Sequence, residues 1–260
     1  ERPGVLAMTE PDHGSDIAGG LASTARREGD TWILNGHKKW IGGGTLAHWH
    51  AFFARDVDDQ QVKMFFVERE SEGVTTFVTP QKAFFRHMPN AEIIYENVRV
   101  SEKYRAQNVN SWKDCAKILR NTRSDVAWLL AGATAGAFEA ALKYTRERLA
   151  FDKPVASFQL IQEKLARMAM NAQATLALSV KLAKAQEAGI YSEEASSMAK
   201  MHNGLRAREN AALAREVCGG NGILLMHDVP RFMADIEGMY TYEGTHEVNS
   251  LIIGRYYTGL

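Results

Sequence analysis

Near residue 110 the spacing of apolar residues in this 260-residue chain changes from the alternation of strands to the three- and four-residue steps of helices. Before the change, 31-TWILNGHKKWI-41 holds two apolar runs around Asn35-Gly36. Both residues accept positive φ, which predicts a hairpin there. Further short strands are expected at 49-WHAFFAR-55, 62-VKMFFVER-69, 74-VTTFVT-79 and 91-AEIIYENVRV-100. Asp58-Asp59, Glu72-Gly73 and Pro89-Asn90 supply turns between them. This spacing predicts an antiparallel barrel or sandwich over residues 1–108.

Residues 109–260 read as helical. Val126, Leu130, Ala133, Ala137, Ala141 and Tyr144 form one stripe within 123–149. Ile161, Leu165, Met168, Ala172, Leu176 and Val180 form another within 158–189, which Gly189 stops. A third helix is expected from about Ser192 to Val217. A fourth starts at Thr245 as its cap and carries Val248, Leu251 and Ile252. Ala131, Gly132, Ala135, Gly136 and Ala137 would let helices approach closely. The expectation is an α+β chain, a β-domain followed by a four-helix bundle.

Composition removes several classes of function. Lys+Arg and Asp+Glu are 31 each, with no basic stripe for nucleic acid. Cys115 and Cys218 lie far apart and suggest neither a disulfide framework nor a metal site, and the histidines lack ligand spacing. No apolar run of about 18 residues predicts a membrane span. The chain opens Glu-Arg-Pro-Gly, without methionine, and reads as part of a longer protein.

Five stretches carry candidate chemistry. In 8-MTEPDHGSD-16, Thr9, Gly14 and Ser15 offer hydroxyls and backbone N–H groups to a phosphate or polar ring edge; a plain turn is the alternative. In 38-KKWIGGG-44, a tryptophan precedes three glycines, suiting either a flat ligand ring or a core aromatic at a hairpin end. Arg148, in 146-RERLAFDKPVASFQLIQ-162, can clamp a phosphate or simply suit a helix C-terminus. The cluster 219-GGNG-222 lacks the dinucleotide fingerprint and also reads as a helix-ending turn. Finally, 240-YTYEGTHEVNSL-251 places Glu243 ahead of a helix. Apolar surroundings favour the neutral form of such an acid and a helix N-terminus the charged form, so base and plain surface acid both stay open.

Together and in this order, the TEPxxGSD loop, KxWI, RxxF, GGNG and YEGT resemble the acyl-CoA dehydrogenases over essentially the whole chain. The resemblance is to the branch containing glutaryl-CoA dehydrogenase and the short-chain peroxisomal acyl-CoA oxidases. It covers that family's middle β-domain and C-terminal helical domain, without a counterpart of its N-terminal helical domain.

The resemblance implies FAD and an acyl-CoA substrate. Glu243 would take the proton next to the thioester carbonyl, with hydride passing to flavin N5 and trans-2-enoyl-CoA as product. The Glu243 N–H, with a ribityl hydroxyl, would hold the thioester oxygen. Met8, Thr9, Ser15, Trp40, Ile41 and Gly42 would contact the cofactor. Arg148, Phe151, Gly219 and Gly220 would hold the FAD of a neighbouring subunit, and Thr245 and Glu247 that of their own. Ser15, Arg123, Tyr242 and Gly244 would border the substrate. Shared sites imply a homotetramer, a dimer of dimers, with electron-transfer flavoprotein or O2 as acceptor. The expected location is cytoplasmic in a bacterium, and the mitochondrial matrix or peroxisome in a eukaryote.

Three positions depart from the family pattern. Gly42 stands where most members have threonine, as in the oxidase-like members, so an acyl-CoA oxidase is the neighbouring expectation. Glu216 stands where many have glutamine, and Asp152 where glycine is usual. A non-catalytic FAD- or acyl-CoA-binding subunit is the expectation from a different class.

Overall fold

The computed structural model describes residues 2–260. Two compact units divide between Ile118 and Leu119, further along than the expected break after residue 108, because the first turns of the long helix side with the β unit.

The first unit contains β1 (Gly4–Ala7), a short helix α1 (Ile17–Gly20), β2 (Thr24–Glu28), β3 (Thr31–Gly42), β4 (Trp49–Asp56), β5 (Val62–Glu68), β6 (Val74–Val78) and β7 (Asn90–Ser101). The strands form one sheet in the order β1-β4-β2-β3-β7-β6, with β5 on β4. Most pairs are antiparallel as expected, but β1 and β2 both run parallel to β4, so the sheet is mixed. Its inner face buries Ala25, Trp32, Leu34, Ile41, Phe52, Phe65, Ile93, Tyr95, Val98 and Val100.

The hairpin expected at Asn35-Gly36 does not form; β3 is one strand of 12 residues. The turn lies before it, at Gly29 (φ +62°), between β2 and a β3 that the alternation had divided. Asn35-Gly36 answers two other needs. A Cβ on Gly36 would lie 2.1 Å from Ser23 Oγ, so the position is closed to any side chain. Asn35 Nδ2 donates to Asn97 Oδ1 (3.2 Å) and its Oδ1 accepts from Asn97 N (2.8 Å), bracing a β-bulge on β7.

The second unit holds most of α2 (Trp112–Glu147), a two-stranded hairpin of β8 (Leu149–Ala150) and β9 (Lys153–Pro154), then α3 (Gln159–Glu187), α4 (Glu193–Val217), α5 (Val229–Thr241) and α6 (His246–Thr258). Helix α5 adds to the four expected. Pro230 in its first turn and Val229, Phe232 and Ile236 at helical steps are its sequence signal. Gly136 of α2 makes room for α5, since a Cβ there would meet the Phe232 ring at 2.4 Å. Length and hydropathy would let α2 cross a bilayer, but Val126, Leu130 and Ala133 pack on Ala207, Ala211 and Ile236, as in a core helix.

Helix α4 is tied to its neighbours by two fully buried asparagines one heptad apart. Asn203 Nδ2 donates to Ala127 O (2.9 Å) and Ser179 Oγ (3.0 Å); Asn210 Nδ2 donates to Thr134 O (3.1 Å) and Met168 O (3.0 Å). Ser192 caps α4 by accepting from Ala195 N, and Thr245 caps α6 by accepting from Val248 N. The stripe expected on α6 is not its buried face. Leu251 is 59% exposed and the fully buried residue is Asn249.

Candidate functional site

In the first unit, residues 8–10 are fastened to β3. Lys39 N donates to Thr9 O (2.8 Å), and the buried Lys38 Nζ donates to Met8 O (3.0 Å). Lys38 Nζ also donates to Glu10 Oε1 (2.8 Å), whose carboxylate accepts from Ala22 N, Ser23 N and Ser23 Oγ. Burial by itself raises the Glu10 carboxyl, but Lys38, Ser23 and Ala22 more than offset it and hold it below the usual range.

These bonds bring Met8 and Thr9 alongside the segment that carries Trp40. Between Lys38 and Ile41, β3 holds one residue more than β7 opposite. Trp40 takes φ +65° there and is 53% exposed, while Ile41 turns into the sheet core and leaves only its backbone for a ligand. The tryptophan is therefore displayed, not a core aromatic. Gly42 is not demanded by the backbone. Its φ is ordinary, and a Cβ would find Met88 Sδ no nearer than 3.8 Å. Ser15 is exposed, but the Gly14 N–H that was expected to face a ligand is taken by Asp16 Oδ1 (3.1 Å).

In the second unit, α2 ends at Glu147 and the chain turns at Phe151 (φ +52°) and Asp152 (φ +59°). Two successive positive φ values are what a two-residue hairpin turn demands. That explains why glycine suits position 152 and why aspartate, tolerant of this region, can replace it. The hairpin tip presents Phe151, 89% exposed, and Arg148 is exposed beside it in sequence.

The glycine cluster divides its work. Gly219 takes φ +55°, Gly222 passes where a Cβ would lie 2.4 Å from Arg215 O, and Gly220 faces open space. Asn221 Nδ2 donates to Tyr144 OH (2.9 Å). Glu216 pairs with Lys164 on α3 (3.0 Å).

Glu243 sits in the turn between α5 and α6 with φ +57°, followed by Gly244 at φ +89°. Thr122 Oγ1 donates to Glu243 Oε2, and no acceptor takes the Glu243 N–H among the described residues. Arg123 is buried beside this turn. Its Nη1 donates to Glu193 Oε1 (3.1 Å), its Nε has no partner among the described residues, and a Cβ on Gly244 would lie 3.7 Å from that Nε. The Glu247 carboxyl is held low by its own backbone amide at the start of α6 and by Thr245. The Tyr242 phenol is pushed up to about 12 by partial burial and by the charges of Glu243 and Asp235.

A carboxylate, an unpaired N–H and a buried guanidinium thus converge on one turn. A base that takes a proton and a donor that steadies the resulting oxyanion need that combination. Sequence reasoning missed Thr122, Lys200 and Asn249, which support the turn. Lys200 left a signal, because it stands on the stripe of small residues Ser196, Ala199, Asn203 and Ala207 that α4 buries.

Burial pushes the ammonium groups of Lys38 and Lys200 down to about 8 from an ordinary 10.5. Above pH 8 the folded chain therefore binds fewer protons than the unfolded one at these residues, so stability rises with pH. From pH 9 the buried thiols of Cys115 and Cys218, pushed up to about 11, act in the opposite sense. Urea unfolding midpoints should rise from pH 8 to pH 9 and level off above; a midpoint falling between pH 8 and 9 would refute the two buried ammonium groups.

Residues 5–98 match the family described as acyl-CoA dehydrogenase, middle domain, and residues 112–258 the acyl-CoA dehydrogenase C-terminal domain. A 3-(aryl)acrylate reductase of Clostridium sporogenes is 33% identical over 97% of this chain and 68% of its own length. Among solved structures, glutaryl-CoA dehydrogenase from Mycobacterium smegmatis superposes with a TM-score of 0.95 at 35% identity, over 100% of this chain and 66% of that one. A glutaryl-CoA dehydrogenase from the same organism in complex with FADH2 gives 0.94 at 33% identity, over 99% and 66%. The chain thus spans about two thirds of the length of the relatives it matches.

Proposed function

The chain belongs to the acyl-CoA dehydrogenase family, and from that premise we propose that it carries the FAD-dependent α,β-dehydrogenation of an acyl-CoA thioester. The observation that carries the proposal is the Glu243 turn, with its unpaired N–H and the buried Arg123 beside it.

The exposed surfaces fit FAD. In the first unit Trp40 displays its ring next to the fastened Met8-Thr9 segment. In the second, Gly220 leaves open space where a Cβ would stand and Arg148 and Phe151 are exposed at a hairpin, suited to the FAD of a neighbouring copy. When bound, FAD would supply the hydride acceptor. The chain's own part is acid–base and electrostatic. Glu243 removes the proton next to the thioester carbonyl. The Glu243 N–H steadies the carbonyl oxygen as negative charge gathers on it. Thr122 orients the carboxylate. Tyr242, Gly244 and Ser15 border the acyl-CoA, and Thr245 and Glu247 contact FAD from the start of α6. The exposed apolar side chains Phe151, Ile223, Leu225 and Met226 suit burial against further copies of the chain in a homotetramer, with electron-transfer flavoprotein as electron acceptor.

The test is an anaerobic titration of the FAD-loaded chain with butyryl-, hexanoyl- and glutaryl-CoA. Bleaching of flavin absorbance by one of them is the expected result; bound FAD that none of them bleaches refutes the proposal and favours a binding subunit.

Gly42 favours a second reading, an oxidase that passes electrons to O2. The backbone accepts a side chain here, so Gly42→Thr is expected to leave the fold intact and to lower hydrogen peroxide yield in air about 10-fold. Unchanged peroxide would show that position 42 does not govern oxygen access.

A further inference from the structure

We propose that Lys200 is a positioning residue for the Glu243 turn: its buried ammonium clamps the two carbonyls that bracket the turn and so sets where the base stands. The inference rests on the reading of Glu243 as base. Helix α4 carries Lys200 with its side chain 1% exposed. Its Nζ donates to Tyr240 O (2.6 Å), a carbonyl in the last turn of α5, and to Gly244 O (2.7 Å), just past Glu243. Residues 241–243 are therefore held at both ends from a third element.

Asn249 of α6 grips the same turn from the other side. Its Nδ2 donates to Gly244 O (2.8 Å) and Thr245 O (2.9 Å). The Tyr240 ring stacks on His246, centroids 5.6 Å apart, across the turn. Within this frame Glu243 keeps a left-handed φ, which costs a non-glycine residue about 1 kcal/mol and persists only when the surroundings fix it.

The charge itself needs an explanation. A helix end can be satisfied by water or by a neutral side chain, whereas a buried ammonium is costly to desolvate. Among the described residues no carboxylate forms an ion pair with Lys200. Burial pushes it down, the more distant charges of Glu243 and Glu247 push it up, and Arg123 pushes it down. The ammonium on its long stem reaches both carbonyls from α4, with three protons on one nitrogen.

The test compares the FAD-loaded wild-type chain with Lys200→Met and Lys200→Gln. Removing the ammonium relieves its desolvation, and Gly244 O keeps Asn249 Nδ2 as donor, so FAD content and Tm are expected to hold. Two changes are expected in both variants. Hydrogen–deuterium exchange rises about 10-fold in the peptide covering 240–245 and not elsewhere. The rate constant for flavin reduction at saturating acyl-CoA falls about 10- to 100-fold while KM moves little, as expected of a misplaced base. Exchange and rate unchanged in both variants overturn the proposal. So does faster exchange throughout the helices with a lowered Tm, which would make Lys200 a general scaffold residue. A wild-type chain that no acyl-CoA bleaches refutes the dehydrogenase reading instead, and exchange in 240–245 then decides the clamp by itself.

Discussion

Glu243→Gln is expected to keep FAD bound while flavin reduction by acyl-CoA slows by about 10²- to 10⁴-fold, the range a positioned base contributes. The carboxamide has the same shape, and its oxygen can still accept from Thr122 Oγ1. The left-handed turn, the Lys200 and Asn249 contacts and the free N–H at 243 all persist. Only the capacity to accept a proton is lost. Stopped-flow absorbance under anaerobic conditions measures the effect. A variant that bleaches at the wild-type rate would show that the proton leaves by another route and that Glu243 is a structural acid of the turn.

The second large effect is on stability. Lys38→Met should cost about 3–5 kcal/mol, because it leaves Glu10 as a buried carboxylate without its cation. Lys38 has no exposed surface and Glu10 is 4% exposed, so water cannot take the lysine's place. Adding Glu10→Gln should restore most of the loss, since the amide oxygen can keep Ser23 N as donor and no charge remains. Urea unfolding of the two single variants and the double variant measures the coupling. A single variant within 1 kcal/mol of wild type, in the presence of about 3 kcal/mol expected, would mean that the carboxyl takes up a proton at no cost. Because Lys38 Nζ also holds Met8 O, the single variant should bind FAD more weakly as well.

The sequence announced the two units because their periods differ, and the strands of β4, β5, β6 and β7 fall where alternation placed them. Asn35-Gly36 misled because its residues suit both a hairpin turn and a bulged strand; the deciding contact, Ser23 against Gly36, comes from the residue just before β2. Helix α5, as long as α6, escapes motif reading because it starts without a side-chain capping bond, after the 3-10 turns that follow the glycine cluster.

For the candidate site, the motifs named the residues but not their backbone. Trp40, Phe151 and Glu243 all take positive φ, a property no side chain announces. Motif reading also stopped at residues that face a ligand. Thr122 and Lys200 support the Glu243 turn from helices distant in sequence; the small-residue stripe of α4 signals that Lys200 is buried, but only the folded contacts tie either residue to the turn.

The β3–β7 ladder carries a consequence best put in the language of reading frames. Thr31 to Leu34 stand opposite Ser101 to Val98 in one register. An extra residue on β7 near Asn97 shifts the pairing by one, so that Gly36 faces Tyr95 and Lys38 faces Ile93. The extra residue on β3 at Lys39-Trp40 shifts it back, and Ile41 faces Ala91 in the original register. The two bulges are a frameshift and its suppressor. Deleting one residue at either bulge would throw the rest of the ladder out of frame and turn core side chains toward solvent. Deleting one at each would bring the frame back but remove the display of Trp40. Positions 40 and 97, far apart in the chain, are therefore tied to each other through register alone.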